Sequence, residues 1–140
     1  MLYPARLSPN GEGGFLVTFV DVREALTEGA SRLEALSNAT DALEVALLGA
    51  MKDGAAIPAP SEANTGDELI AIGAQTAAKL AFYEAFRSSG LSRSGLARRI
   101  GKDEAEVRRM LDPYHATKLP ALDGAIKAMG RRLTIELEPS

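Results

Sequence analysis

Leu91-Ser92-Arg93-Ser94-Gly95-Leu96-Ala97-Arg98-Arg99-Ile100-Gly101-Lys102-Asp103-Glu104-Ala105-Glu106-Val107-Arg108-Arg109-Met110-Leu111 decides the reading of the C-terminal half of this chain. The stretch predicts two short helices, at about 92–100 and 103–111, joined by a tight turn. Ala97 is small enough to let two helix backbones approach where they cross. Gly101, four residues later, takes at little cost the left-handed backbone angle that ends a helix. Val107, six residues further on, is a branched apolar residue that plugs the second helix onto the first. Leu96, Ile100 and Met110 complete the apolar seam. These residue types at these intervals are what a helix-turn-helix requires, and DNA-binding proteins use that unit to place its second helix in a major groove.

On that reading Arg108 and Arg109 project from the second helix toward the groove, where arginine can grip guanine O6 and N7 together. The same two arginines are spaced to pair with Glu104 or Glu106 along the helix as ordinary solvated charges. Ser92, Arg93 and Ser94 open the first helix, where backbone N–H groups meet phosphates. Arg98, Arg99, Lys102 and Lys118 are candidates for contact with the DNA backbone. Two details cut across a simple picture. Lys102 follows Gly101 where an apolar residue is more usual, and the second helix opens with three acids, Asp103, Glu104 and Glu106. Acids at a helix N-terminus stabilise it but repel phosphates.

The charge is unevenly divided. The net charge of −3 conceals an acidic half, residues 1–75, with 4 basic and 11 acidic side chains, and a basic half, residues 76–140, with 12 and 8. Opposite charge on two halves points to different partners for each. The 140 residues allow one ordinary domain or two small ones, and 46% apolar residues suffice for a packed core. No apolar run reaches the roughly 20 residues needed to span a bilayer. Met1-Leu2-Tyr3-Pro4-Ala5-Arg6 has no signal-peptide character. The absence of cysteine excludes disulfides and thiolate metal sites, so a cytoplasmic location is expected.

Upstream, residues 3–7 and 15–20 read as two strands of a hairpin, with Ser8-Pro9-Asn10-Gly11-Glu12-Gly13-Gly14 as its turn. Residues 25–30 predict a third strand. Ser31 caps a helix that runs to about Met51, with Leu33, Leu36, Ala39, Leu43, Ala46 and Leu47 at helical spacing and Gly54 beyond its end. Prolines extend the run Ala55-Ala56-Ile57-Pro58-Ala59-Pro60-Ser61. Residues 68–72 predict a short strand and 76–88 a helix with Leu80, Tyr83 and Phe86 on its apolar side. A last helix spans 119–129. Arg132-Leu133-Thr134-Ile135-Glu136-Leu137 alternates with period two and predicts a closing strand. That strand could pair with 68–72 or across a dimer.

Several fragments, in this order, resemble the HicB family, the antitoxins of bacterial HicA–HicB toxin–antitoxin pairs. They are the Tyr3-Pro4 opening, Glu12-Gly13-Gly14-Phe15, Thr18-Phe19-Val20-Asp21, Leu43-Glu44, Ile57-Pro58-Ala59-Pro60-Ser61 and Ala77-Ala78-Lys79-Leu80-Ala81-Phe82-Tyr83. The helix-turn-helix stretch, Leu111-Asp112-Pro113-Tyr114-His115 and Ala128-Met129-Gly130-Arg131-Arg132-Leu133 continue the likeness. The resemblance implies an α+β protein: a partial RNase H-like β-β-β-α-β domain that binds and masks a small HicA-like RNA-cleaving toxin, then an all-α helix-turn-helix domain with a C-terminal strand. It implies that the second domain binds the operator of its own operon, and that the chain forms homodimers or homotetramers. The boundary falls near 60–75 and is drawn here between 1–66 and 67–140.

Other chemistry finds little support. His115 is the sole histidine, so neither a transition-metal site nor a cofactor site is expected, and it reads as a loop residue. Gly11, Gly13 and Gly14 precede a strand without a following Lys-Ser or Lys-Thr, so they turn a hairpin rather than cradle phosphate. A metal-dependent nuclease would need converging carboxylates. Asp21, Asp41 and Glu44 are the nearest candidates, and Asp41 and Glu44 read as part of a solvated helix face. A non-enzymatic antitoxin and autorepressor is therefore the leading expectation. The alternative is a stand-alone helix-turn-helix regulator whose N-terminal domain binds a ligand or another protein without catalysis.

Overall fold

The computed structural model describes residues 1–139. In chain order its elements are β1 (Leu2–Pro9), β2 (Phe15–Phe19), β3 (Leu26–Gly29), α1 (Arg32–Lys52), β4 (Glu68–Ala71), α2 (Ala74–Ser89), α3 (Arg93–Ile100), α4 (Glu104–Leu111) and α5 (Leu119–Ala128). Every helix and the first four strands lie where the sequence predicts them, within a few residues. They form two compact units, one ending at Thr76 and one starting at Ala77.

The first unit is an antiparallel sheet of order β3-β2-β1-β4 with α1 laid on one face. β1 is central: Ala5 lies opposite Phe19 on β2 and opposite Glu68 on β4. Because β4 pairs with β1, it belongs to the first unit, and the division falls at Thr76/Ala77 rather than at 66/67. Strand pairing joins residues far apart in sequence, which local composition does not report. The turn after β1 is tied by Asn10, whose Oδ1 accepts from the N–H groups of Glu12 and Gly14 at 2.9 and 3.0 Å. Ser31 caps α1, its Oγ accepting from Glu34 N at 3.1 Å. Ala35, Ala39, Leu43, Leu47 and Met51 recur every four residues, so they form one buried stripe over Tyr3, Ala5, Val17, Phe19 and Ile70. The small residues at the start of this stripe let the helix sit close. A Cβ on Gly29 would stand 2.6 Å from Ala35 Cα, so β3 and α1 touch backbone to backbone there.

The second unit is helical. Ala78, Phe82 and Ala85 of α2, Leu96 and Ala97 of α3, Val107 and Met110 of α4, and Leu122, Ala125 and Ile126 of α5 form one buried cluster. The closing segment departs from its expectation. Residues 131–139 form no strand. Leu133 packs against the helical core, while Ile135 and Leu137 are 72% and 100% exposed. Alternation marks which residues share a face, but a strand needs a neighbour to complete its hydrogen bonds. β4 has β1 as its partner in the sheet, and the tail is not among the four strands.

Candidate nucleic-acid interface

The turn between α3 and α4 is built by backbone geometry. Ser92 caps α3, with Oγ accepting from Gly95 N at 2.9 Å. Gly101 ends it at φ 68° and ψ 33°, in the left-handed region. Gly101 N donates to Arg98 O at 3.4 Å and Lys102 N to Ala97 O at 3.0 Å, the paired bonds of a Schellman ending. Lys102 thus contributes its N–H to the turn while its side chain is exposed, and the position makes no demand for an apolar residue. Leu96, Ala97, Val107 and Met110 are buried and Ile100 is partly buried, the seam read from the sequence.

The three acids that open α4 each have a task. Asp103 caps the helix, accepting from Glu106 N at 2.8 Å. Glu104 reaches back to the start of α3, where Ser94 Oγ donates to it at 3.4 Å and Arg93 Nε stands 3.9 Å away. Glu106 accepts from Arg109 Nη2 at 2.7 Å, and this bond raises the Arg109 pKa above the usual guanidinium value. With Val107 and Met110 turned into the core, Arg108 and Arg109 lie on the solvent side of α4. Arg109 and Arg93 carry the intramolecular pairs that helical spacing and proximity allow. Among the described residues Arg98, Lys102, Arg108 and Lys118 are exposed and in no ion pair.

The remaining predicted residues separate in role. Arg99 Nη1 donates to Ala128 O at 3.3 Å, so it fastens α3 to the end of α5. Lys118 is the residue before α5 and makes no side-chain cap bond. One residue escaped the sequence reading. Lys79 of α2 is only 3% exposed, and its Nζ donates to Thr117 Oγ1 at 2.8 Å, His115 O at 2.9 Å and Arg109 O at 3.4 Å. Burial pushes its pKa down, and the neighbouring Asp112 carboxylate pulls it partly back. The signal was there: Lys79 stands four residues before Tyr83 and seven before Phe86, on the apolar stripe of α2. His115, read as a loop residue, places Nδ1 3.1 Å from the same Thr117 oxygen.

A family model described as HicB_like antitoxin of bacterial toxin-antitoxin system matches residues 2–81. Antitoxin HicB of Escherichia coli is 42% identical over 135 residues, covering 96% of this chain and 98% of that protein. The chain belongs to the HicB-like antitoxin family. Antitoxin HicB 1 of Photorhabdus laumondii is 38% identical, covering 99% of this chain and 88% of its own length. Antitoxin HicB of Pseudomonas fluorescens is 31% identical over 127 residues, covering 90% and 87%.

In this HicB-like antitoxin two of the three carboxylates weighed as nuclease ligands, Asp21 and Glu44, are tied to loops. Asp21 Oδ2 accepts from Ser61 N and Ser61 Oγ at 2.9 and 3.0 Å. Glu44 Oε1 accepts from Gly73 N at 2.6 Å, so this side chain does more than face solvent. Among the described residues no group of three His, Cys, Asp or Glu side chains is arranged to hold a metal ion. Among them, too, no helix is long and apolar enough to cross a membrane.

Proposed function

We propose that the acidic first unit binds and masks a small HicA-like toxin that cleaves RNA, and that the basic second unit binds operator DNA and represses the operon encoding both. The observation that carries this reading is the helix-turn-helix of α3 and α4, with the three acids of its second helix engaged within the protein and Arg108 open to solvent. The division of charge supports it, because the two units defined by the fold carry 4 basic against 11 acidic and 12 basic against 8 acidic side chains. An enzyme that grips RNA needs a cationic surface for its phosphates, and an acidic protein competes for that surface. On the first unit a cleft of about 430 Å³ between β3 and α1 joins Glu24 and Asp41 with exposed Leu26 and Val45, a mixed apolar and anionic surface suited to such a partner.

DNA binding then proceeds without covalent chemistry. A pair of chains sets two α4 helices in successive major grooves, about 34 Å apart. Arg108 and Arg109 read base edges, while Ser92, Arg93, Ser94, Arg98, Arg99, Lys102 and Lys118 border the phosphate-facing side. The exposed Ile135 and Leu137 of the tail favour self-association, since strand pairing between two tails completes hydrogen bonds that one chain lacks. The test has two arms. The native complex is captured from cells and its mass measured, with a small basic partner expected. A gel shift on the chain's own promoter compares wild type with Arg108→Ala/Arg109→Ala, and equal affinity removes those arginines from the interface.

A further inference from the structure

We infer that Lys79 is a positioning residue for the second helix of the helix-turn-helix: its ammonium ties the last turn of α4 and the following loop to α2, and so sets how Arg108 is presented. The presentation to DNA rests on the DNA-binding reading above, whereas the tie itself rests on the geometry alone.

An ammonium has three donors, and Lys79 has three acceptors. They come from two places: Arg109 O in the last turn of α4, and His115 O with Thr117 Oγ1 in the loop that leads to α5. A buried cation is costly unless it is fully hydrogen-bonded, so each acceptor lost leaves charge without compensation. The last carbonyls of a helix have no partner within it, and a cation there also meets the negative end of the helix dipole. α4 has only eight residues, so few bonds of its own resist a tilt. Arg109 O is shared by Lys79 and by Asp112 N at 3.1 Å, one residue from Arg108. Thr117 is itself buried, and its oxygen takes the Lys79 bond while His115 Nδ1 lies 3.1 Å away. The loop that carries these acceptors is also tied within itself: His115 N donates to Asp112 O at 3.2 Å and Thr117 N to His115 O at 2.9 Å.

The full chain is prepared as wild type, Lys79→Met, Thr117→Val and Thr117→Ser. Two readouts are taken: amide hydrogen exchange, and affinity for the promoter fragment beside a non-cognate duplex of equal length. Lys79→Met is expected to speed exchange at Asp112, His115 and Thr117 by about tenfold or more, the scale of a lost bond to a charged group. The buried turn at Leu96 and Ala97 stays protected. Promoter affinity falls by a similar factor while non-cognate binding, which depends on exposed cations that reach phosphates, holds, because Lys79 is buried. Thr117→Val shows the same pattern more weakly, and Thr117→Ser restores it. Thr117→Val also carries the test if Lys79→Met does not fold. The inference is overturned if exchange at these amides is unchanged in both variants, or if promoter and non-cognate affinity fall together. If wild type does not prefer its promoter, the DNA-binding reading fails and takes the role at DNA with it, while the exchange data still decide whether Lys79 holds the helix.

Discussion

Arg109 is held by Glu106, with guanidinium Nη2 2.7 Å from the carboxylate one turn earlier on α4, whereas the adjacent Arg108 is in no ion pair among the described residues. Two neighbouring arginines are therefore not equivalent. Arg108→Ala is expected to weaken promoter binding by about 1–3 kcal/mol, with the loss confined to specific sequence. Arg109→Ala costs less, because its side chain must first leave Glu106. Glu106→Gln frees Arg109 and is expected to raise affinity for any duplex and to steepen the salt dependence by about one phosphate contact. Titration by fluorescence anisotropy at several salt concentrations checks all three, and a Glu106→Gln protein with unchanged salt slope counts against a groove-facing Arg109.

The buried Lys79 also gives stability a pH dependence. Burial lowers its pKa from 10.5, with Asp112 opposing. Between the lowered value and 10.5 the unfolded chain binds more protons than the folded one, so stability contributed by this group rises with pH across that window. Below the window the cost of burying the charge is present in full. Wild type is thus expected to gain on Lys79→Met as pH rises toward 10.5. Urea midpoints of both proteins measured across the alkaline range check this, and parallel curves would show that Lys79 is not desolvated.

Gly29 and Gly101 separate two reasons for glycine. A Cβ at Gly29 would run into the backbone of Glu34 and Ala35, so Gly29→Ala must push α1 off β3 and is expected to cost about 3 kcal/mol. At Gly101 a Cβ meets nothing within 4 Å, and only the φ of 68° opposes it. Gly101→Ala is expected to cost about 1 kcal/mol. Equal effects in urea denaturation would contradict the close approach of β3 and α1.

Asp103 caps α4 through Glu106 N at 2.8 Å. Asp103→Ala is expected to destabilise the second unit by about 1 kcal/mol, and Asp103→Asn to restore most of it, since asparagine caps equally well. Thermal unfolding of the three proteins decides the point. If asparagine is no better than alanine, the charge rather than the hydrogen bond matters at this position.

Removing residues 134–140 takes away Ile135 and Leu137 and leaves Leu133 on the helical core. Light scattering is expected to show weaker self-association with helix content nearly unchanged in circular dichroism. A shortened chain that associates as strongly as the full one would show that the tail does not carry self-association.

The helix-turn-helix was legible because its constraints are local. Small residue, glycine and branched apolar residue act within a dozen positions, and caps such as Ser92 and Asp103 bond to N–H groups three residues on. The roles of the acids on α4 were not legible. Helical spacing allowed Glu104 and Glu106 to reach the same arginines, and only the crossing of α3 and α4 brought Glu104 to Ser94 and Arg93. Lys79 sat on a visible apolar stripe, yet its acceptors lie 30 to 38 residues away.

By itself, then, the sequence determined the order of the helices and of the first four strands, the turn between α3 and α4, and the split into an acidic and a basic half, because propensity, capping and charge act along the chain. Tertiary structure alone decided that β4 joins β1, that the tail lacks a strand partner, and that Lys79 binds the end of α4. Those outcomes depend on which surfaces meet, and a hydrogen bond or a buried charge takes its worth from the group across from it.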